Sequence, residues 1–122
     1  MGNSSVNNTA ATNADGCTDG GGAGVLELGP TDIGRWLIIT RTSQHVLDLD
    51  ARRYERRPGP GGRAMRLDHQ PLALTRVQVW PRVGSQMLVW VDDPDVPDLV
   101  EHYRLCATIA RIAPCRRARG SG

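Results

Sequence analysis

Apolar residues in this chain form short runs that glycine, proline and polar residues interrupt. Residues 34–41 and 87–91 are the most apolar runs, and both are rich in β-branched residues and tryptophan. Runs of this length and composition are typical of buried strands. Residues 45–50 and 71–80 alternate apolar and polar side chains more clearly, and residues 65–67 form a further short candidate. The pattern therefore predicts an all-β protein.

Two irregularities in the pattern refine this prediction. The apolar face switches parity between Leu74 and Val77, which predicts a β-bulge near Thr75. Residues 52–56 are polar on both faces, as expected of an edge strand whose charges discourage further pairing. The Pro and Gly residues at 58–62 then end this strand.

The segment from residue 99 to residue 113 fits two interpretations. Several of its apolar residues recur at helical spacing, which would give a helix over residues 98–113 and an α+β fold. Alternation of Leu105, Ala107 and Ile109 with Cys106 and Thr108 instead favours one or two strands, which is the interpretation that we adopt.

The fold that we expect is a small all-β domain over residues 30–114, with five to seven antiparallel strands in a partly open barrel or rolled sheet. Residues 1–29 are polar and Gly-rich and are expected to form a disordered tail. Residues 115–122 are expected to be a basic frayed tail. The predicted core consists of Trp36, Ile38, Leu47, Leu49, Val77, Val79, Leu88, Trp90, Leu105, Ile109 and Ile112.

The composition of the chain weakens any functional argument from its charged residues. The chain has 122 residues, room for one domain, and a net charge of +2. All 15 of its Lys and Arg residues are Arg, and Phe is absent. Arg has GC-rich codons, whereas Lys and Phe have AT-rich ones, so the bias is typical of a GC-rich genome. Clusters of Arg are therefore weak evidence for function.

Three cysteines without a C-x-x-C spacing predict neither a zinc site nor a disulfide framework. We expect free thiols in a reducing cytoplasm, with Cys17 exposed in the tail; a contact between Cys106 and Cys115 is the alternative. No apolar run approaches the roughly 20 residues that span a membrane, and the N-terminus lacks a secretory pattern. The expected location is cytoplasmic, with no membrane contact.

One set of residues is a candidate interaction surface. On a strand, Arg52, Tyr54 and Arg56 share a face, and such a face can hold a phosphate and stack a base. The alternative is a solvated edge hairpin. An exposed Trp80 beside Arg82 would suit a protein contact. The full candidate surface is Arg52, Arg53, Tyr54, Arg56, Arg57, Arg63, Arg66, Trp80 and Arg82.

No pattern predicts a catalytic, cofactor or metal site. The acidic loop at residues 92–98 lacks the spacing and glycine of a calcium-binding loop. Ser43, His45 and Asp48 have the residue types of a hydrolytic triad, but no oxyanion motif accompanies them. We therefore expect a protein that is not an enzyme.

Four segments follow one another along the chain, and they are Gly34-Arg35-Trp36-Leu37-Ile38-Ile39-Thr40, Leu47-Asp48-Leu49-Asp50-Ala51-Arg52-Arg53, Arg56-Arg57-Pro58-Gly59 and Arg82-Val83-Gly84-Ser85-Gln86-Met87. In this order they resemble a group of small, uncharacterised β-rich proteins from high-GC actinobacteria and their phages. The resemblance covers residues 33–114, and it implies a strand over residues 104–112 but no ligand or activity.

Two functions are compatible with these observations. The first is a non-catalytic module that binds a protein partner or acts as an accessory, because small β-domains without a polar site usually act through their surface. The second is a module that binds the nucleic-acid backbone through residues 52–66. The sequence does not indicate the identity of a partner or the oligomeric state.

Overall fold

The computed structural model describes residues 17–19 and 21–116, and their regular structure is entirely β-strand. The strands are β1 (Thr18–Asp19), β2 (Arg35–Thr40), β3 (Ser43–Asp48), β4 (Arg53–Pro58), β5 (Leu72–Val79), β6 (Leu88–Asp92), β7 (Glu101–Leu105) and β8 (Ile109–Arg116). Within these residues there is no helix of the length and apolar character needed to cross a membrane.

All eight strands join one antiparallel sheet in the order β1-β8-β2-β3-β4-β5-β6-β7. Strands β2 to β7 form a meander, and β8 returns to pair with β2. Over residues 17–19 and 21–116 the sheet is open, with β1 and β7 as its edges. The all-β antiparallel prediction is confirmed, although the described residues hold eight strands rather than five to seven.

The C-terminal segment forms the two strands β7 and β8, so the helix considered over residues 98–113 is wrong. Residues 106–108 separate these strands, and the side chain of Cys106 is buried in the core. The chain then turns away from β6, and the Ile109 amide donates to the Ser85 carbonyl at the start of β8 (2.8 Å). Alternation therefore identified this segment better than helical spacing did.

Pairing between β4 and β5 is short, and it bends the sheet. Only Arg53 with Ala73 and Tyr54 with Leu72 are paired there. Strands from both sides of this junction contribute to one buried cluster, so the sheet curls around a single interior. The cluster contains Leu28, Ile38, Leu47, Tyr54, Leu72, Leu74, Met87, Val89, Val91, Cys106, Ile109 and Ile112.

The predicted core is correct in part. The residues that are buried as predicted are Ile38, Leu47, Ile109 and Ile112. The residues that pack against the core while remaining partly exposed are Trp36, Leu49 and Val77. Val79 and Leu105 are exposed. In β6 the inward side chains are Val89 and Val91 rather than Leu88 and Trp90, because a run that is apolar on both faces does not reveal which face is inside.

Residues 17–19 and 21–29 belong to the domain, so the tail predicted over residues 1–29 is wrong for this part. Leu28 is buried in the core, and Val25 forms a bridge to Ile112. The Asp19 carboxylate accepts two hydrogen bonds from Arg111 (2.9 and 3.0 Å). A few apolar residues in a polar segment are thus enough to dock it. Residues 1–16 and 20 lie outside the described residues.

A disulfide fastens this N-terminal segment to β8. Cys17 is bonded to Cys115, with 4.8 Å between their Cα atoms, and Cys106 is the free thiol. Cys17 is buried against Leu37 and Val46 on the outer face of the sheet. The exposed, idle thiol predicted at Cys17 is therefore wrong. The cytoplasmic expectation loses the support of free thiols, because disulfides persist mainly in oxidising compartments.

The C-terminal boundary also differs from the prediction. Strand β8 continues to Arg116, and β1 pairs with Cys115 and Arg116. The frayed tail expected over residues 115–122 is therefore wrong for its first two residues. Residues 117–122 lie outside the described residues.

Three local predictions have different outcomes. The bulge near Thr75 is confirmed, because the pairing of β5 with β6 shifts register between Leu74 and Arg76. The edge strand predicted at residues 52–56 is wrong, since β4 pairs with both β3 and β5. Residues 65–67 form a turn rather than a strand, with Leu67 at a φ of 74°.

The hairpin between β3 and β4 fixes the register of both strands. The Asp48 carboxylate accepts a hydrogen bond from the Ala51 amide (2.9 Å), and Arg52 ends the turn with a φ of 57°. Leu47 consequently pairs with Tyr54. A buried aliphatic residue thus places the tyrosine on the inner face of the sheet.

Leu28 and Leu26 provide a matched test of the N-terminal segment, because Leu28 is 4% exposed and Leu26 is 76% exposed. Leu28→Asp should lower the free energy of unfolding by about 3 kcal/mol or more, since it buries a carboxylate in an apolar cluster. Leu26→Asp should change it by less than about 0.5 kcal/mol. Chemical denaturation measures both. Equal, small effects would mean that the segment is not docked.

The disulfide should contribute to stability through the unfolded chain, because it joins cysteines that are 98 residues apart in sequence. The chain-entropy model gives about 4–5 kcal/mol for a loop of this size. A reductant should therefore lower the thermal midpoint of the wild type substantially. The Cys17→Ala/Cys115→Ala variant should have a low midpoint that does not respond to reductant. A wild type that is insensitive to reductant would contradict the bond.

Candidate functional site

Among the residues that the structure describes, no strand pairs with β7 on the side away from β6, and this free edge presents alternate backbone groups. The Asp93 amide donates to the Val100 carbonyl (3.0 Å), and the Cys106 amide donates to the Met87 carbonyl (3.1 Å). Because amides alternate in direction along an antiparallel strand, the even-numbered residues of this segment face β6. The backbone N–H and C=O groups of Glu101, Tyr103 and Leu105 therefore point away from β6.

A groove of about 620 Å³ lies along this edge, and we call it the β7 groove. Strands β3, β4 and β7 and the loop after β4 supply its walls. The lining residues are His45, Tyr54, Arg56, Met65, Glu101, His102, Tyr103, Arg104 and Leu105. Its volume is typical of ligand-binding clefts in proteins.

A chain of buried hydrogen bonds runs from the β2–β3 turn to the β7 groove. The hydroxyls of Thr40 and Ser43 are 2.9 Å apart, and Ser43 Oγ is 2.9 Å from His45 Nε2. His45 Nδ1 is 2.8 Å from the hydroxyl of Tyr54. All four residues are buried. Each side chain has a polar partner, which offsets the cost of removing it from water.

Burial determines the protonation states of His45 and Tyr54, at the end of this series of hydrogen bonds. Burial, with a contribution from the positive charge of Arg56, lowers the pKa of His45 to about 4. Burial raises the pKa of the Tyr54 hydroxyl. Both groups are therefore neutral at neutral pH, and the hydrogen bond between them joins uncharged partners.

The cations around the groove differ in their partners. Arg56 forms an ion pair with Asp68 (2.7 Å). Arg104 donates to two neutral acceptors, the carbonyls of Tyr103 (3.1 Å) and Arg66 (3.4 Å). No carboxylate of the described residues lies within ion-pair distance of Arg104.

The Asp93 carboxylate contacts the other basic side chains near this end of β7. These are Arg66 and His102, and the His102 contact measures 2.8 Å. Hydrogen bonds from His102 and from the Asp95 amide hold the pKa of Asp93 below its usual value. Arg66 also contacts Asp95 (3.3 Å). The acidic loop thus pairs with basic groups of the same chain.

The outer face of β5, β6 and β7 exposes apolar and aromatic side chains. Arg76, Trp90 and Tyr103 are in register across the three strands. The Arg76 guanidinium lies 4.5 Å from the ring of Trp90, and the rings of Trp90 and Tyr103 are 5.8 Å apart. The next row is Val79, Leu88 and Leu105. Exposed rows of this kind are typical of contact surfaces.

The nine residues of the predicted interaction surface are not brought together as one exposed face. Tyr54 is buried, so it offers no ring for a base to stack on. Arg56 and Arg57 form ion pairs with Asp68 and Glu55. Trp80 packs against the core, and Arg82 lies 3.7 Å from Glu27. Arg66 is held by the acidic loop, and the remaining exposed residues are Arg52, Arg53 and Arg63.

Several residues of the groove were missed from the sequence. Alternation along residues 101–105 places His102 and Arg104 on one face and Tyr103 and Leu105 on the other, so a strand assignment from residue 101 would have found both faces. The contact between His45 and Tyr54 requires the hairpin register, which depends on the turn at Asp48.

The structure shows how the residues of the triad-like set are arranged and whether metal-ligating side chains cluster. Ser43 and His45 are in contact, but the second nitrogen of His45 contacts Tyr54; Asp48 instead lies 3.6 Å from Arg35. Among residues 17–19 and 21–116, no three His, Cys, Asp or Glu side chains are arranged to share a metal ion.

The lowered pKa of His45 predicts a loss of stability in acid. The unfolded chain binds a proton near the ordinary pKa of 6.5, whereas the folded protein binds it only near 4. The free energy of unfolding should therefore fall as the pH drops from about 6.5 to 4, by at most about 3 kcal/mol. His45→Gln should flatten this part of the stability curve. The matched control is His69→Gln, at an exposed histidine, and it should keep the slope. Equal slopes in all three proteins would contradict the prediction.

Comparison with known proteins finds no matching family model, no similar curated protein and no similar solved structure.

Proposed function

We propose that this protein is a non-catalytic interaction module that binds an extended segment of a protein partner as an additional strand beside β7. The observation that supports this proposal is the free edge itself. The backbone groups of Glu101, Tyr103 and Leu105 point away from β6, and the β7 groove runs beside them. Strand addition of this kind gains affinity from main-chain hydrogen bonds.

The dimensions of the groove suit one strand. A segment that matches the five residues of β7 is about 17 Å long and lies about 5 Å from its neighbour. Packed sheets lie about 10 Å apart, and with this thickness the segment occupies a volume on the order of 800 Å³. The groove volume of about 620 Å³ is of this order, and the remainder of the segment would face solvent.

Side chains on both faces of β7 can add to the main-chain contacts. Tyr103 is 61% exposed and Leu105 is 56% exposed on the outer face. Trp90 lies beside Tyr103, so an apolar side chain of the partner would find an aromatic neighbour. Large aromatic residues at the centre of a contact often supply most of its binding energy.

The nucleic-acid alternative has less support. A backbone-binding face needs cations that are free to contact phosphates. Within residues 52–66, Arg56, Arg57 and Arg66 each contact a carboxylate of the same chain. If the alternative were correct, the wild type would bind a single-stranded oligonucleotide at low salt. A variant with Ser at Arg52, Arg53, Arg56 and Arg57 would not.

Tyr103→Pro tests strand addition, because proline removes an N–H that faces away from β6 and leaves the β6–β7 hydrogen bonds in place. Peptides selected by the wild type from a library of random heptapeptides should bind Tyr103→Pro at least tenfold more weakly. The matched control is Tyr103→Ala, which keeps the backbone donor and loses only the ring. It should bind the same peptides more tightly than Tyr103→Pro does.

Thermal unfolding of the two variants checks that both remain folded. Selected peptides that bind the wild type and Tyr103→Pro equally would place the binding surface elsewhere. A library that yields no binding peptide would reject the proposal. Sedimentation of the free protein as a dimer, together with loss of the dimer in Tyr103→Pro, would identify a second copy of the chain as the occupant instead.

A further inference from the structure

Arg104 differs from the other arginines whose side chains the structure describes in its combination of burial and partners. The arginines that contact a carboxylate are Arg35, Arg56, Arg57, Arg66, Arg76, Arg82 and Arg111. Of the remaining arginines whose side chains the structure describes, Arg41, Arg52, Arg53 and Arg63 are exposed and Arg104 alone is not. Arg104 is partly buried in the wall of the β7 groove.

A guanidinium whose acceptors are neutral has capacity for an anion. Arg104 uses its two terminal nitrogens on the carbonyls of Tyr103 and Arg66, at 3.1 and 3.4 Å. Hydrogen bonds between guanidinium and carboxylate are shorter and stronger than those to neutral oxygen, and they can form in pairs. A carboxylate would therefore compete well for this side chain.

The position of Arg104 on β7 determines which part of the partner it would meet. Its backbone faces β6, so it would be in a non-hydrogen-bonded position relative to an added strand. Directly opposite side chains at such positions have Cβ atoms about 4.5–5.5 Å apart. The residue opposite Arg104 would point to the inner face, and its two neighbours would point to the outer face beside Tyr103 and Leu105.

We infer that the segment bound beside β7 carries an acidic side chain opposite Arg104, with an apolar residue on each side of it. This inference rests on the proposed function and specifies the partner. The Tyr103 carbonyl, which now accepts from Arg104, becomes the acceptor for an amide of the added strand. The released guanidinium then binds the carboxylate. The apolar neighbours pack against the outer-face side chains of Tyr103 and Leu105.

The other basic group on the inner face of β7 does not call for a second acidic residue. His102 already contacts the Asp93 carboxylate (2.8 Å), and Arg66 contacts the same carboxylate. A second carboxylate beside His102 would face Asp93 and be repelled by it. A neutral polar residue fits that position. Opposite His102, Tyr103, Arg104 and Leu105, the segment is therefore expected to carry a neutral polar, an apolar, an acidic and an apolar residue.

Two peptides test this pattern. They are Lys-Thr-Val-Glu-Val-Thr-Lys and the same sequence with Gln in place of Glu, both with blocked ends. Each is titrated into ¹⁵N-labelled wild type, Arg104→Gln and Arg41→Gln, and the amide shifts of β7 are followed. Arg41 is an exposed arginine outside the groove and serves as the matched control.

The Glu peptide should bind the wild type and Arg41→Gln about tenfold more tightly than the Gln peptide, as expected for one charge-assisted contact. Arg104→Gln should bind both peptides equally, with a thermal midpoint that shows it is folded. Equal affinity of the wild type for the two peptides would overturn the role of Arg104 and leave strand addition standing. A preference for Glu that survives in Arg104→Gln would also overturn it. No binding of either peptide, with no hit from the heptapeptide library, would reject strand addition itself.

Discussion

Only two residue pairs hold β4 to β5, and the open shape of the sheet depends on this short contact. Pairing ends after Tyr54 and Leu72, so the chain beyond them diverges. In the second half of β4, the Arg56 carbonyl accepts a hydrogen bond from the His69 amide (2.8 Å) rather than from a neighbouring strand. The sheet can then curl around one interior without closing. The β7 groove lies between the diverging half of β4 and the far edge of the sheet.

The sequence predicted those features that depend on neighbouring residues. Apolar runs bounded by Gly and Pro located most of the strands, and a parity switch located the bulge at Thr75. Features that depend on distant pairing were not accessible. Tyr54 stands among arginines and is polar in its local pattern, yet its partner Leu47 places it inside. The inward face of β6 could not be chosen, because both of its faces are apolar.

The candidate site shows the same division. Once residues 101–105 are assigned to a strand, the alternation of side chains shows which residues lie on each face of β7. The chain of hydrogen bonds through His45 needs the hairpin register. The arginine-rich segment suggested a basic surface, but carboxylates neutralise part of it, and of these only Glu55 lies within the segment. Asp68 and Asp93 lie 12 and 27 residues from their arginine partners along the chain, so their effect appears only in the fold. Charge density along a sequence is therefore a poor guide to the charge that a surface presents.

The bond between Cys17 and Cys115 has a consequence for how the domain would come apart. It links the first and last parts of the described chain, so the polypeptide between them is a covalent ring. A protease that cuts once in the acidic loop would open the ring without releasing a fragment. The two pieces would separate only after both denaturation and reduction. A single nick would therefore go unnoticed on a non-reducing gel, although β7 would have lost its direct covalent connection to β6.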